Sequence, residues 1–221
     1  AAMPGEPQGL VLPSTGGRIS LARRQPHGVV GVISPFNFPM ALAAGMIGGA
    51  LVTGNTVVFK PSENAVVSGA LLADALWAAG VPAEALQLVL GGSEIGAALV
   101  EHRNVAGVAF TGSFDVGVGI VRGAARDFPR PVIVEMGGKN PAIVTASADV
   151  DAAAVAVARS AFGYGGQKCS ACSRAYVGRE IYARFVERLV EAAHATTIGL
   201  PERKATAVGP LIDERAGKRF E

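Results

Sequence analysis

Along the chain, short runs of β-branched residues alternate with longer Ala- and Leu-rich runs of helical period, and glycine or proline separates them. That alternation predicts an α/β fold. Strands are expected over 28–34 (GVVGVIS), 56–59, 86–90, 107–111 and 132–135. Helices are expected from Pro39 onward and over 64–79, 93–102 and 115–126. In the helix over 64–79, Val67, Leu71, Leu72, Ala75 and Leu76 form the predicted buried side, and Gly80 and Pro82 stop it. Most of the strands are apolar throughout rather than alternating, as in strands covered on both faces, so the predicted fold is a doubly wound parallel sheet. Past residue 148 the pattern changes to a helix over 150–162, a Gly-rich loop, a strand over 173–177 and a helix over 179–196. A domain boundary is predicted within 145–149, making residues 1–146 one domain and 147–221 the start of a second α/β domain.

Composition narrows the class. Of 221 residues, 50% are hydrophobic and 17% charged, which supplies a core and excludes a disordered chain. The 29 glycines and 13 prolines are aperiodic, which excludes a collagen-like chain. A net charge of +2 without a dense basic block points away from nucleic acid and toward a small-molecule partner. The two cysteines, Cys169 and Cys172, lie too close together for a disulfide framework and fit a reducing, cytoplasmic setting. Residues 28–59 carry no charge, and Gly45 and Gly49 form a G-x-x-x-G. Pro35, Asn37, Pro39 and Asn55 interrupt that stretch, and its cleanest apolar part is shorter than the roughly 20 residues of a membrane span. A buried helix beside a buried strand is therefore expected, and no membrane partner. The first ten residues lack the basic and apolar regions of a targeting segment; they also lack an initiator Met.

Ligands of open α/β sheets bind beyond the carboxyl ends of the strands. Four predicted strands leave with polar groups: Asn37 within PFNFP, Lys60, Thr111-Gly112-Ser113, and Glu135 before Gly137-Gly138. Together they predict the lining of a cleft. Neither GGSEIG (91–96) nor GSFDVG (112–117) has the spacing of the dinucleotide fingerprint G-x-G-x-x-G, and no P-loop occurs. Gly112 nevertheless lets a ligand approach the backbone, Ser113 can donate a hydrogen bond, and the helix after them offers free N–H groups to an anion. A carboxylate in a turn is usually just solvated, but Glu135 ends an apolar strand before two glycines, and the partly buried setting expected there can raise a carboxylate toward general-base range. Cys169-Ser170-Ala171-Cys172 spells C-x-x-C, but His27, His102 and His194 are scattered, so no metal site is expected. Two readings of Cys169 stand side by side: a packed thiol, or a nucleophile whose pKa the neighbouring Lys168 lowers.

Five segments, in order, resemble the signatures of the aldehyde dehydrogenase superfamily: PFNFP (35–39), FKPSE (59–63), FTGS (110–113), EMGGKNP (135–141) and GQKC (166–169). Met136, where that family commonly has Leu, is a conservative departure. The resemblance implies a variant, Rossmann-like dinucleotide-binding domain followed by a catalytic domain. It implies that Cys169 attacks an aldehyde carbonyl while the Asn37 amide and the Cys169 N–H hold the oxyanion. Glu135 would activate the water that hydrolyses the thioester. Lys60 and Glu63 would meet the adenosine ribose, Gly112-Ser113 the pyrophosphate, and Ile33 and Gly92 would complete the cofactor contacts. A carboxylate at Glu63 favours NAD over NADP. Cys172 returns to a packed thiol.

Residues 160–172 are very similar to the catalytic loop of the pyrroline-carboxylate dehydrogenases, which oxidise L-glutamate γ-semialdehyde in proline catabolism. In that branch Lys168 and Ser170 would serve the aldehyde end of the substrate. The alternatives are an aldehyde dehydrogenase of other substrate range, a noncatalytic dinucleotide-binding homologue, and a C-x-x-C redox module. Family members carry, after the nucleophile, a Glu-x-Phe-Gly-Pro segment and an oligomerisation hairpin that this sequence lacks. The chain is therefore expected to be a fragment, inactive alone, of a homo-oligomeric enzyme.

Overall fold

The computed structural model describes residues 10–12, 20–22, 25–124 and 129–220. The first nine residues, and residues 125 and 126 of the helix predicted to end at Arg126, lie outside the described residues. The chain divides into two compact units, residues 1–136 and 137–221.

In the first unit, β1 (Leu10–Leu12) and β2 (Ser20–Ala22) form an antiparallel pair that the sequence pattern did not predict. Next come β3 (Val29–Ile33), α1 (Ala41–Val52), β4 (Thr56–Lys60), α2 (Val66–Ala78) and β5 (Leu86–Leu88). The second half of the unit adds α3 (Ser93–Glu101), β6 (Val105–Gly112), α4 (Phe114–Gly123) and β7 (Val132–Met136). The five strands from β3 to β7 are parallel and stand in the order β5-β4-β3-β6-β7. The sequence thus starts in the middle of the sheet, winds to one side, and returns to wind to the other, which confirms the doubly wound sheet.

Alternate residues of each strand feed opposite cores. Val32, Val57, Phe59, Leu86 and Ala109 meet Ala43 and Ile47 of α1 and Leu72 of α2 on one face. On the other face Ile33, Val108 and Phe110 meet Leu99 and Val100 of α3 and Ile120 of α4. Continuous apolar strands are what such two-sided burial requires. Buried Asn55 ties the start of the sheet to the end of α1: its Oδ1 accepts from the His27 and Gly28 N–H groups at 2.7 and 3.1 Å, and its Nδ2 donates to Ala50 O at 3.2 Å. Arg130 likewise joins the entry to β7 to the end of α3, donating to the carbonyls of Val100, His102 and Val105.

Two faces differ from expectation. α1 buries only Ala43 and Ile47 and leaves Gly45, Gly48 and Gly49 exposed, so it is half-buried, not a fully buried helix. On α2, Val67 and Leu71 are exposed while Gly69, Leu72 and Ala73 are buried. The helix is apolar nearly all round, so periodicity alone could not choose its inner side; contact with buried Pro61 does. A Cβ on Gly69 would lie 2.5 Å from the Pro61 Cβ.

The second unit holds β8 (Asn140–Val144), α5 (Val150–Phe162), β9 (Cys172–Val177), α6 (Tyr182–His194) and α7 (Glu214–Phe220). β8 and β9 pair in parallel, so β8 belongs with α5 and β9 and the division falls at residue 136 rather than within 145–149. Asp149 caps α5 by accepting from the N–H groups of Asp151 and Ala152. Phe185 of α6, 1% exposed, packs on Val144, Val150, Ala154 and Val157. Asp151 accepts from Arg184 and Arg188 at 2.9 Å each, an exposed ion pair network between α5 and α6. No helix among the described residues is long and apolar enough to cross a membrane.

Gly69→Ala is expected to lower stability by about 1–3 kcal/mol through overpacking against Pro61. Gly45→Ala, whose Cβ would meet nothing within 4 Å, should raise it by roughly 0.5–1 kcal/mol. Urea denaturation midpoints of the two variants check the pair.

Candidate active site

Because the five strands are parallel, their carboxyl ends share one edge of the sheet. Ile33 pairs with Lys60 on one side and Phe110 on the other, and Thr111 pairs with Glu135. The strand order reverses between β3 and β6, which is where a doubly wound sheet opens a crevice for a ligand. Ser34, just beyond β3, lies at that point. It is 2% exposed, and its Oγ has no hydrogen-bond partner among the described residues. Buried hydroxyls are nearly always paired, by protein, water or ligand, and this one has its partner still to be supplied.

Lys60 ends β4 and is 6% exposed. Its Nζ donates to Pro61 O at 2.9 Å and Gly91 O at 2.8 Å. Burial holds its pKa below the ordinary lysine value, and the carboxylates of Glu63 and Glu94 pull the other way. Glu63 opens a short 3-10 turn (Glu63–Ala65), and Ser62 before it accepts from the Asn64 N–H at 3.3 Å. Glu94 sits in the first turn of α3 and accepts from the Gly92 N–H at 3.1 Å. Hydrogen bonds from its own N–H and that of Gly92 hold its carboxyl below the usual range, assisted by Lys60. Gly92 is the floor of this cluster: a Cβ there would lie 2.9 Å from a Glu63 oxygen and 2.8 Å from a Glu94 oxygen. One ammonium and two carboxylates around a bare backbone form a set of donors and acceptors suited to neighbouring hydroxyls of a sugar.

On the other side of the switch point, Gly112 has no room for a side chain, since a Cβ would lie 2.4 Å from the end of the buried Phe110 ring. Ser113 caps α4 through its backbone and is exposed, with no side-chain capping bond. Asn37 is half-buried in the loop after β3, and its Oδ1 accepts from the Phe38 N–H at 3.0 Å. Glu135 departs from expectation: it is exposed, because β7 is an edge strand and its alternate residues Ile133 and Glu135 face away from the core.

Lys168, Cys169 and Ser170 belong to the second unit. α5 ends in a 3-10 turn (Gly163–Gly166) in which Tyr164, Gly165 and Gly166 have φ of 62°, 64° and 69°. Left-handed backbone at a tyrosine is uncommon, and two glycines beside it lower the cost of the turn. The Ala171 N–H donates to Lys168 O at 3.2 Å, closing a β-turn with Cys169 and Ser170 at its corner. Cys169 is a free, exposed thiol. Lys168 is half-buried and folds over the end of α5, its Nζ 3.5 Å from where a Gly163 Cβ would stand. Cys172 packs beside the core of this unit, as a structural thiol does. Among the described residues no group of three or more His, Cys, Asp or Glu stands together as a metal site would require.

The first unit therefore gathers Ile33, Lys60, Glu63, Gly92, Gly112 and Ser113 at the sheet's carboxyl edge, and the second carries Lys168, Cys169 and Ser170 on one turn. Sequence reasoning missed Ser34, Glu94 and Asn140. Ser34 is the polar end of GVVGVIS, and Glu94 lies inside GGSEIG, whose glycine spacing fits no phosphate fingerprint and so drew no attention to its carboxylate. Asn140 lies in EMGGKNP and donates from its side chain to Cys169 O and Ala171 O.

Comparison with known proteins places the chain in one family. The model of the aldehyde dehydrogenase family matches residues 1–221. A 1-pyrroline-5-carboxylate dehydrogenase of Bacillus cytotoxicus is 45% identical over 197 residues, covering 86% of this chain and 38% of that protein. A 2-hydroxymuconic semialdehyde dehydrogenase of Pseudomonas sp. is 44% identical over 205 residues, covering 92% of this chain and 42% of that protein. The crystal structure of an NAD-dependent aldehyde dehydrogenase from Sinorhizobium meliloti superposes with a TM-score of 0.91 at 38% identity, covering 96% of this chain and 42% of that one. The chain thus spans about two fifths of the length of the curated relatives it matches.

The depressed pKa of Lys60 has a testable sign. Below its folded value the buried ammonium is charged in both states and its destabilisation is fully present; the penalty is relieved as pH rises from there to the unfolded value of about 10.4. The stability of the native protein relative to Lys60→Met should therefore improve toward about pH 10, measured by urea titration. A difference that stays constant with pH would contradict it.

Proposed function

The chain belongs to the aldehyde dehydrogenase family, and from that premise we propose that it carries the cofactor edge and the nucleophile of an enzyme that oxidises an aldehyde to a carboxylate. The observation that carries this reading is the setting of Cys169: an exposed thiol at the corner of a turn, after a stretch of left-handed backbone. A structural cysteine is ordinarily buried, as Cys172 partly is; a nucleophile must be reachable.

In the proposed mechanism the Cys169 thiolate attacks the aldehyde carbon, forming a C–S bond and an oxyanion. By the family resemblance, the Asn37 side-chain amide and the Cys169 N–H would donate to that oxygen. NAD held at the sheet edge would supply the acceptor for the hydride that the adduct loses on becoming a thioester. Glu135 would then remove one proton from water as its oxygen attacks the thioester carbon; the C–S bond breaks to restore the Cys169 thiolate, and the acid so formed gives its remaining proton to solvent and leaves as the carboxylate. Glu135 is exposed, so water can reach its side chain.

The residues at the sheet edge fit the cofactor. Lys60, Glu63 and Glu94 offer a donor and acceptors to ribose hydroxyls, Ser34 Oγ is a buried group awaiting a partner, and Gly112 with Ser113 and the start of α4 would receive a pyrophosphate. Two carboxylates beside Gly92 would repel a 2′-phosphate, which favours NAD over NADP. For substrate, the similarity of residues 160–172 to the pyrroline-carboxylate dehydrogenases, and the relative of that name, support L-glutamate γ-semialdehyde, oxidised to glutamate in proline catabolism. Lys168 and Ser170 would then serve the aldehyde end.

Glu135→Gln in the whole protein is expected to lower steady-state turnover by about 100-fold or more while preserving a first-turnover burst of NADH, read by stopped-flow absorbance. Loss of the burst together with turnover would remove Glu135 from the deacylation step. In a substrate panel, glutamate semialdehyde should exceed simple aliphatic aldehydes in kcat/KM; the opposite order by about tenfold would refute the substrate assignment. Cofactor binding without any aldehyde oxidation would favour the noncatalytic reading.

A further inference from the structure

We propose that Asn140 is the positioning residue of the nucleophile, a role that rests on the reading of Cys169 given above. Asn140 opens β8, where its backbone pairs with Cys172 at the start of β9. It therefore stands on a strand, beside the point where the cysteine turn runs into the partner strand. Its side-chain Nδ2 donates to Cys169 O at 2.6 Å and to Ala171 O at 3.2 Å. A primary amide has two N–H donors on one nitrogen, and both are committed here to main-chain oxygens two residues apart.

Peptide planarity turns these bonds into control of the thiol. Cys169 O lies in the planar peptide that joins Cys169 to Ser170, so holding that oxygen restrains the rotation of this plane and, with the turn closed behind it, limits ψ of Cys169 and the direction of its Cα–Cβ bond. The second bond, to Ala171 O, keeps the whole corner from rotating about the first. The 3.2 Å bond from the Ala171 N–H to Lys168 O closes the turn from within, and Asn140 supplies the anchor outside it. That anchor is needed because the chain enters the turn through Tyr164, Gly165 and Gly166, whose glycines leave the approach conformationally permissive.

Gly138 is part of the same device. A Cβ there would lie 3.2 Å from Asn140 Oδ1 and 3.4 Å from its Nδ2. The amide is folded back over residue 138, and a side chain at that position would push it off its two carbonyls by tenths of an ångström. The sequence EMGGKNP thus couples a missing side chain to an amide two residues later. Serine at 140 is too short to span both acceptors, and aspartate of the same shape would set carboxylate oxygens against two carbonyl oxygens while adding negative charge near the thiol.

The test uses the whole protein and two readouts: steady-state kinetics with an aldehyde and NAD, and the pH dependence of iodoacetamide labelling at Cys169 and Cys172, read separately by peptide mass spectrometry. Asn140→Ala should lower kcat by about 10- to 100-fold with little change in KM, as misplacement of a reacting atom does. Asn140→Asp should lower kcat further and raise the pH at which Cys169 labels, leaving Cys172 unaffected. Gly138→Ala, which keeps the amide but displaces it, should fall between native and Asn140→Ala, and it serves if the Asn140 variants do not fold. Native-like kcat in Asn140→Ala, or an unshifted Cys169 profile in Asn140→Asp, overturns the role of Asn140 alone. Native Cys169 labelling no faster than Cys172 overturns the nucleophile reading and this inference with it.

Discussion

The inner strands of a parallel sheet have no face to give to water, and the first unit is organised by that constraint. Adjacent residues of the central strand go into different cores: Val32 packs under α1 and α2, Ile33 under α3 and α4. Polar residues cannot interrupt such strands without entering a core, so they collect where the strands end, and parallel connection places every end at the same edge. Lys60 shows how close to the limit this runs. Its ammonium is buried at the last position of β4 and is tolerated because two carbonyls receive it and two carboxylates lie nearby.

The second unit solves a different problem. On the proposed reading of Cys169, a thiol that must meet a substrate cannot be held by packing, so its geometry has to come from the main chain around it. Backbone of positive φ turns the chain out of α5, a β-turn closes the corner, and a side-chain amide from the neighbouring strand holds two of its carbonyls. Precision at an exposed residue is thereby transferred from side-chain contacts to hydrogen bonds, which do not require burying the reactive atom.

Much of this was legible in the chain. Each of the five runs expected as strands between residues 28 and 135 is a strand of the main sheet, and the helix expected over 150–162 spans Val150–Phe162. The strand exits Lys60, Gly112 and Glu135 stand at the carboxyl edge for the reason that exposed them in the sequence: each breaks an apolar run. What escaped was set by tertiary contacts. Periodicity could not orient α2, whose inner face is chosen by Pro61 against Gly69. β8 contains a proline and begins after two glycines, so it reads as loop until β9 pairs with it. Glu94 and Asn140 act through bonds to backbone at Gly92 and Cys169, and no spacing rule reports such bonds.

In the proposed reaction Cys169 forms a covalent bond to the aldehyde carbon. Trapping tests it most directly: the whole protein carrying Glu135→Gln is mixed with aldehyde and NAD, quenched in acid and digested, and the peptides are weighed. The account predicts one modified peptide, containing Cys169, heavier by the mass of the aldehyde less two hydrogens. An adduct on any other residue, or turnover with no adduct at Cys169, would contradict it.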